Sequence, residues 1–585
     1  MQRADWTRMI GVLIAFGLCA ISYACAKSPP KTAQVPSEKS PFPSREELSQ
    51  LGQSPPTPEL FDVPMRDVDS WQLKGILPQR IQLAPYQPAS PWETLLAQRA
   101  RRSGGTPYPS AAMHCVARQY ARFYIVHDIR PTERLFQYMA GACGAIAQSL
   151  AAMVLYARVP EAASDDDLFR QWKNEVDRIV ASVQGRLTIA GLAFAREKGR
   201  AVVVVVHGER RVELKLLVPV PDGRGRLLIE GRLLVPAERI HALINRGRYG
   251  FAECATDPQI LLPRFAILCQ MARSDRISWI QISFLPPGRI LARSALHLLA
   301  RVPGGRVDIY QRHLYANSAE AATPEQFTAK LTKALNEVRQ RAQLPPLALA
   351  TRQSEVAAKV APRFFAAALG KVDPLDADRI ALGMIAGWDV EGMIRNGGFW
   401  STLIGETRDV SRWLSTALEF PGGRHVLLSP DAAKLAVGPL LVEQNQLFGA
   451  VVSSYSFFGG NHAADEAKIF DLIARHRADL GLSAPKRIDA LEPHMQSAGG
   501  MVRSGAASPT NALNDLLQVS VRVLQRSVNG FALEASQLED LQLPEEILRR
   551  RSLEVAIGVT HYQPKWAPWG RYVILVIVSA PLPTA

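Results

Sequence analysis

This sequence lacks several of the patterns that usually reveal a protein's chemistry. It contains no run of five or more lysines and arginines, although these residues total 68 and give a formal net charge of +14. The charge lies in short clusters such as Arg549–Arg551, without an aromatic ladder beside them, and this argues against a nucleic-acid groove. We therefore expect no nucleic-acid partner, and we expect the charge to favour anionic surfaces.

Thiol and hydroxyl chemistry have equally little support. None of the 6 cysteines shows the CxxC spacing of a zinc site or a redox centre, so we expect no thiolate-bound metal. No GxSxG turn occurs, and Ser453, Ser454 and Tyr455 are therefore interpreted as a solvated strand face instead of a nucleophile. His114, beside Cys115, is assigned a structural role. We predict no metal ion and no cofactor.

The first 25 residues are typical of an export signal. Arg3 and Arg8 precede the apolar run MIGVLIAFGLCAIS, which is shorter than the ~20 residues of a membrane-spanning helix. The segment Ser22–Cys25 resembles a bacterial lipobox with Cys25 as the lipidated residue, although its serine and tyrosine depart from the usual residues. A signal cleaved nearby, with Cys25 unmodified, is the alternative. We expect an exported lipoprotein, at the outer membrane or facing the periplasm, or a secreted protein.

Four cysteines remain for the exported fold. Their order suggests the pairs Cys115 with Cys143 and Cys254 with Cys269, although sequence alone allows three connectivities. In an oxidising compartment both pairs could form disulfides. Residues 26–90 are rich in proline, serine, lysine and glutamine, and we predict an extended tether there.

Three parts of the chain share one design, in which a helical region precedes an apolar β-hairpin. The hairpins begin at Thr188, Leu435 and Glu554, and each pairs two β-prone strands across a polar turn. In the helices before the last two hairpins, Arg339 and Arg477 both stand five residues before a leucine. We predict three related α/β units; chance similarity of ordinary hairpins is the alternative.

Residues 208–318 differ from these units. Short β-prone runs alternate there with glycine and proline turns at the spacing of a β-sandwich. The stretch Pro221–Arg226 is interpreted as a turn between strands, since no helix with lysine and serine follows to make a phosphate loop. The predicted domains are a signal (1–25), a tether (26–90), an α/β unit (91–207), a β-domain (208–318), a second α/β unit (319–460) and a C-terminal unit (461–585).

The second unit carries a longer succession of motifs. ALNEVRQRAQLPPL is followed by IGETRD, by WLSTALEFPGGRHVLLSP and by AVGPLLVEQ. This order resembles the CAP superfamily, also called SCP or YkwD-like, over residues 323–458. The residues that match its pattern are Leu335, Asn336, Arg339, Leu344, Gly405, Glu406, Pro421, Gly422, Arg424, Leu427, Leu428, Pro430 and Gly438. The resemblance implies a three-layer α/β/α sandwich, and we expect degenerate units of this kind at 91–207 and 461–585. The expected fold class is thus α/β (α+β), with an inserted β-sandwich.

The metal-binding set of that family is mostly missing. Many members hold a divalent ion between two histidines and two glutamates in a shallow cleft. Here the stretch from Pro421 places Gly423 at the family's histidine position, and His425 falls two residues late. Two residues turn a helix by about 200 degrees, so we expect His425 to be partly exposed and to point away from the cleft. Glu406 matches one glutamate, and Val356–Trp400 contains no histidine.

These features predict a non-catalytic binding protein of the cell envelope. Its ligand stays open between another envelope protein, peptidoglycan and a lipid, with membrane attachment through a lipid anchor. Trp566 and Trp569 could bind a sugar or a lipid, or could pack across their hairpin. The alternative function is a CAP-like hydrolase or peptidase, with the weak catalytic candidates Glu406 and His425 or a histidine from elsewhere in the fold. A structural assembly component is the third possibility.

Overall fold

The computed structural model describes residues 41–61, 64–76, 86–104, 107–215, 217–405, 407–443, 447–536, 538, 541–564 and 567–579. The described part is a mixed α and β protein in which helices pack on small sheets, and this confirms the predicted fold class. The predicted signal with Cys25, and also Glu406 and Trp566, lie outside the described residues. Among the described helices, none combines the length and apolarity needed to cross a bilayer.

Part of the segment predicted as a tether is folded. It contains α1 (Arg45–Leu51), a 3₁₀ turn at Pro58–Phe61, β1 (Met65–Arg66) and β2 (Ser70–Gln72). The side chains of Leu48, Phe61 and Leu73 are at most 2% exposed. An extended tether is therefore the wrong description for these residues, because their apolar side chains find a surface on which to be buried.

The first α/β layer packs helices on a four-stranded sheet. Its elements are α2 (Pro91–Arg102), β3 (Tyr108–Pro109), α3 (Ala111–His127), β4 (Arg130–Pro131), α4 (Glu133–Cys143), β5 (Gln148–Arg158), α5 (Asp165–Ser182), β6 (Thr188–Glu197) and β7 (Arg200–Glu209). The sheet order is β3-β6-β7-β5, and β4 pairs with β1 outside it. A disulfide between Cys115 and Cys143 joins α3 to α4.

Two further four-stranded sheets follow and share one core, as the predicted β-sandwich requires. Their strands are β8 (Val212–Leu214), β9 (Arg226–Leu233), β10 (Arg239–Arg246), β11 (Gly250–Glu253), β12 (Ala255–Thr256), β13 (Arg264–Gln270), β14 (Ile277–Leu285) and β15 (Arg293–Arg301). The orders are β11-β10-β14-β15 and β12-β13-β9-β8. The disulfide Cys254–Cys269 connects them, since Cys254 follows β11 and Cys269 lies on β13. Beyond the sandwich, β16 (Ile309–Gln311) pairs with β2.

The remaining chain forms two more α/β layers. The first contains α6 (Pro324–Arg341), β17 (Ala348–Leu349), α7 (Thr351–Ala368), α8 (Leu375–Ala386), β18 (Ile394–Ile404), α9 (Val410–Glu419), α10 (Pro421–Leu427), β19 (Lys434–Val442) and β20 (Leu447–Phe457). The second contains α11 (His462–Asp479), β21 (Lys486–Arg487), a 3₁₀ turn at Asp489–Leu491, α12 (Glu492–Ser504), α13 (Pro509–Leu524), β22 (Asn529–Ala535), α14 (Glu545–Arg549), β23 (Glu554–Tyr562) and β24 (Arg571–Ser579).

The three α/β sheets have the same topology. Their orders are β3-β6-β7-β5, β17-β19-β20-β18 and β21-β23-β24-β22. In each sheet the two strands of the hairpin lie in the centre. A two-residue strand (β3, β17 or β21) runs parallel to the first hairpin strand. A longer strand that precedes the hairpin in sequence (β5, β18 or β22) runs antiparallel to the second hairpin strand. All three predicted hairpins are present, and each belongs to a sheet of its own.

Two buried arginines mark equivalent positions in the last two layers. Arg339 and Arg477 are 0% exposed, and their Nε atoms donate to carbonyls six residues later, in Pro345 and Ser483. The other guanidinium nitrogens of Arg339 donate to Leu427, Ser429 and Ala432, and those of Arg477 to Ile547, Leu548, Arg550 and Arg551. Each arginine thus holds the loop before a hairpin against the first helix of its layer.

Candidate binding cleft beside His425

Helix α10 follows α9 at a sharp corner that leaves no room for a side chain. Pro421 is the first residue of α10, where a missing N–H is tolerated. A Cβ atom on Gly423 would lie 1.9 Å from the carbonyl oxygen of Ala417. The position that the resemblance assigns to a histidine is therefore closed to any larger residue with this backbone.

Arg424 fixes α10 to the β-sandwich. It is 5% exposed, and it donates to the carbonyl of Leu418 at 2.7 Å and to the hydroxyl of Tyr315 at 2.9 Å. It also donates to the carbonyls of Gly247 and Gly250, in the turn between β10 and β11, at 2.9 and 2.7 Å. Hydrogen bonds from a charged donor are among the stronger ones. The next residue, His425, therefore projects from a firmly held helix.

His425 is half-buried and lines a cleft of about 460 Å³. Its ring packs edge-on against Phe251, with the centroids 5.4 Å apart. Burial lowers the pKa of His425, and the charge of Glu253 opposes this shift. Burial likewise lowers the pKa of His241, which interacts with the same carboxylate. Helix α10 turns the side chain of His425 into the lining of this cleft, whereas its orientation relative to the metal cleft of the family stays a prediction.

Residues from two α/β layers form the walls of this cleft. The second layer contributes Asn396 on β18 and Ser454 and Ser456 on β20, while Trp569 and Tyr572 come from the last layer. The volume lies within the roughly 300–1,000 Å³ of small-molecule sites. The cleft therefore combines hydroxyl and amide groups with aromatic surface.

Trp569 is held in place by its neighbours. Its indole Nε1 donates to the carbonyl of Ile385 at 2.8 Å, and its ring lies 5.5 Å from that of Phe42. The residue is half-buried and lines the cleft. A fixed aromatic side chain loses little conformational entropy when a ligand binds against it.

Two cations lie at the cleft and are only weakly neutralised. Arg395 pairs with Asp431 at 3.0 Å, with side-chain exposures of 33% and 67%. Lys468, 64% exposed, lies 3.9 Å from Asp465. The Arg395–Asp431 pair is exposed, and such pairs contribute about 0–1 kcal/mol. Lys468 is itself exposed and lies at the limit of ion-pair distance from the mostly buried Asp465, so an anionic group of a ligand can compete for both cations.

The stretch Ser453–Tyr455 is buried, so its interpretation as a solvated face is wrong. Ser453 and Tyr455 are 0% exposed and Ser454 is 5% exposed. The reason is that β20 lies inside its sheet, between β19 and β18, and both faces of the sheet are covered. Ser454 faces the cleft, whereas the hydroxyl of Tyr455 donates to the carbonyl of Met384 behind the sheet.

Two other sequence candidates have structural roles. His114 is 0% exposed, and its Nδ1 accepts the N–H of Leu192 at 3.0 Å, next to the confirmed disulfide. In the Pro221–Arg226 stretch, Asp222 accepts the N–H groups of Arg224 and Arg226, both at 2.9 Å. This closes a turn between β8 and β9, as predicted.

Sequence reasoning missed one cluster of possible metal ligands. His462, Asp465 and His561 offer ligand atoms that all lie within 4.8 Å of one another. The signal was hidden because His462 and Asp465 begin α11, whereas His561 lies near the end of β23. Burial lowers the pKa of His561 to about 4, so this imidazole is neutral at neutral pH.

Comparisons with known proteins do not establish a family. No protein-family model and no curated protein matches the chain. The chain is similar to a solved cysteine-rich secretory protein from Staphylococcus aureus subsp. aureus Mu50, with 13% identity, 45% of this chain and 66% of that chain covered, and a TM-score of 0.17. It is also similar to an extracellular protein containing a SCP domain from Bacillus anthracis str. Ames, with 11% identity, coverages of 42% and 85%, and a TM-score of 0.17. TM-scores this low carry no argument, so the resemblance to the CAP superfamily stays a prediction.

Proposed function

We propose that this chain is an exported, non-catalytic binding protein of the cell envelope, and that it binds an anionic glycan in the cleft beside His425. Peptidoglycan is the envelope glycan that we propose as its ligand. In this proposal Cys25 carries a lipid anchor, and residues 91–207, 319–460 and 461–585 are degenerate CAP-like units around the β-domain at 208–318.

The single observation that carries this proposal is the composition of the cleft. Glycans offer hydroxyl groups and apolar ring faces, and the cleft offers Ser454, Asn396 and a fixed Trp569. Arg395 and Lys468 add two positive charges that could meet carboxylates of the ligand, beside the carboxylates of Glu253 and Asp431 in the same lining. Long-range attraction from the net charge of +14 would increase the rate of encounter.

The two disulfides support the exported location. Cys115–Cys143 and Cys254–Cys269 join separate elements, and such bonds persist in oxidising compartments. The amino-terminal signal and the two disulfides are independent features that favour the same compartment.

The test is sedimentation of the purified full chain with insoluble peptidoglycan, with anionic lipid vesicles as a parallel arm. We expect binding to peptidoglycan that weakens as salt rises, because the charges at the cleft are exposed and screened. Replacing both Arg395 and Lys468 by glutamine should weaken it several-fold. Lys371→Gln, at an exposed lysine remote from the cleft lining, is the matched control and should bind as the wild type does.

Two results would refute this proposal. Binding to vesicles alone would make a lipid headgroup the ligand in place of a glycan. Release of soluble fragments from peptidoglycan, abolished by Glu406→Gln or His425→Gln, would replace the binding function with the hydrolase alternative.

A further inference from the structure

A second polar cluster lies behind one wall of the cleft, where α11 meets β23. His462 and Asp465 are three residues apart in the first turn of α11 and therefore share one helix face. His561 is the penultimate residue of β23, which packs against α11. Lys468 and Tyr572 line the cleft and also contact the cluster, through Asp465 and His561 respectively.

The distances within the cluster fit a shared ion. Nε2 of His561 lies 3.8 Å from Oδ2 of Asp465, and the two imidazole centroids are 4.6 Å apart. Around a tetrahedral ion, ligand atoms lie about 3.4 Å from one another, given metal–ligand bonds of about 2.1 Å. Because the three ligand atoms lie within 4.8 Å of one another, they have to approach one another by at most about 1.4 Å to complete the coordination.

Most of the cluster is buried, and each of its two histidines has one ring nitrogen without a hydrogen-bond partner in the described part of the chain. The side chains of His561 and Asp465 are 7% and 13% exposed. Nε2 of His561 and Nδ1 of His462 are both buried, and neither has a hydrogen-bond partner among the described residues. The ring of Phe458 lies 4.4 Å from that of His561 and shields it. A buried polar atom without a partner is unfavourable, and metal coordination is one way to compensate it.

The second α/β layer shows what normally fills this place. When the two sequences are aligned on Arg477 and Arg339, His462 corresponds to Pro324 and Asp465 to Phe327. The short parallel strands pair with Lys434 in one sheet and with Glu554 in the other, so these two residues are equivalent. Counting seven residues along each strand makes Leu441 the equivalent of His561. Phe327 is 0% exposed in the core, and Leu441 packs against the same core. The last layer thus has two ionisable groups where its relative within the chain has apolar packing.

We propose that His462, Asp465 and His561 form a binding site for a divalent transition-metal ion of the zinc type. Two imidazoles and one carboxylate suit such an ion, whereas magnesium prefers oxygen ligands. Three protein ligands leave a fourth coordination position open. The ion would join the start of α11 to the end of β23. This site does not depend on the proposed glycan function.

Arg503 competes with the ion. Its guanidinium lies 3.1 Å from Nε2 of His462 and donates to that nitrogen, while the side chain is exposed. A neutral imidazole has a single lone pair. Coordination through Nε2 displaces Arg503 directly, and coordination through Nδ1 places a proton on Nε2, which then cannot accept. Either way Arg503 has to turn outward to solvent when the ion binds.

The test is zinc binding by the full chain after removal of metal with a chelator, measured by competition with a zinc-sensitive dye. We expect one equivalent of zinc and no comparable binding of magnesium. His462→Ala and Asp465→Asn should each weaken zinc binding by at least about tenfold. Because His462 is half-buried and begins its helix, its variant is the one expected to fold normally. Arg503→Gln should bind zinc more tightly than the wild type.

His476→Ala is the matched control, because His476 lies exposed in the last turn of the same helix. Its zinc binding should equal that of the wild type, and circular dichroism should show that all variants are folded. Zinc should also raise the melting temperature of the wild type and not that of His462→Ala. The inference is overturned if a folded His462→Ala variant binds zinc as the wild type does, or if no stoichiometric zinc is bound. An unchanged or weaker affinity in Arg503→Gln would contradict the competition.

Discussion

Replacing Arg477 by methionine should destabilise the last α/β layer more than any surface change in the same helix. Arg477 is 0% exposed and donates to five backbone carbonyls between 2.8 and 3.3 Å away. Methionine keeps the apolar stem of the side chain and removes every donor. The carbonyls around α14 then lose their partners in a site that water cannot easily reach.

The magnitude follows from two opposing terms. A hydrogen bond from a charged group contributes about 1.5–3 kcal/mol. Nη1 has two hydrogens for three of the carbonyls, so the side chain forms about four full bonds, which contribute roughly 6–12 kcal/mol before other terms. Burying the charged guanidinium of Arg477 costs several kcal/mol of desolvation. The methionine variant does not have this cost, so it offsets part of the loss of hydrogen bonds. The difference of these two terms leaves an expected net loss of ~3–5 kcal/mol.

The assay should be local, since a chain of several layers does not unfold in one two-state step. Hydrogen exchange of the amides in Glu545–Arg549 and Glu554–Tyr562 reports on the loop and strand that Arg477 holds. Arg475→Met is the control, because Arg475 is exposed on the same helix and its loss should change stability by less than about 0.5 kcal/mol. If the two variants exchange at the same rate, the reasoning about the buried carbonyls is refuted.

Three further predictions concern other parts of the chain. Gly423→Ala should destabilise the α9–α10 corner by ~1–3 kcal/mol through overpacking, seen as faster hydrogen exchange of the amides in α9 and α10. Gly460→Ala, with no atom within 4 Å of its Cβ, is the control and should leave this exchange nearly unchanged. Loss of the Cys254–Cys269 bond, which closes a loop of 15 residues, should cost about 3 kcal/mol, seen as a lower melting temperature of a Cys254→Ala, Cys269→Ala variant. Burial lowers the pKa of His297 to about 4, below its unfolded value of about 6.5, so its contribution to stability is present above pH 6.5 and is lost as pH falls toward 4. The loss between pH 7 and pH 5 should be ~2 kcal/mol and should be reduced in His297→Gln; an unchanged acid-unfolding curve would contradict it.

The repeated design was accessible from the sequence because its signals are local. The β-branched hairpins at Thr188, Leu435 and Glu554 follow the period of two that strands impose. The spacing of Arg339 and Arg477 before a leucine reflects a contact that each arginine makes six residues later. Patterns of this kind depend on neighbours along the chain, so they can be read without knowing the fold.

The orientation of His425 was not accessible in this way. The direction of its side chain depends on the corner between α9 and α10. It also depends on the hydrogen bonds from Arg424 to the carbonyls of Gly247 and Gly250, between β10 and the start of β11. The same limit explains why Ser453 was expected on a solvated face. Which faces of β20 are covered is decided by helices distant in sequence.

The sequence by itself determined the helices, the three hairpins, the β-rich insertion and the order of the cysteines that pair, because backbone periodicity, turn residues and short chain separations are local properties. Only the tertiary structure decided which polar groups face one another. It placed His425, Trp569 and Tyr572 in the lining of one cleft, and it brought His561 to the first turn of α11. The physical reason is that a site needs side chains from separate segments at one point in space, and their distances are set by the packing of whole layers.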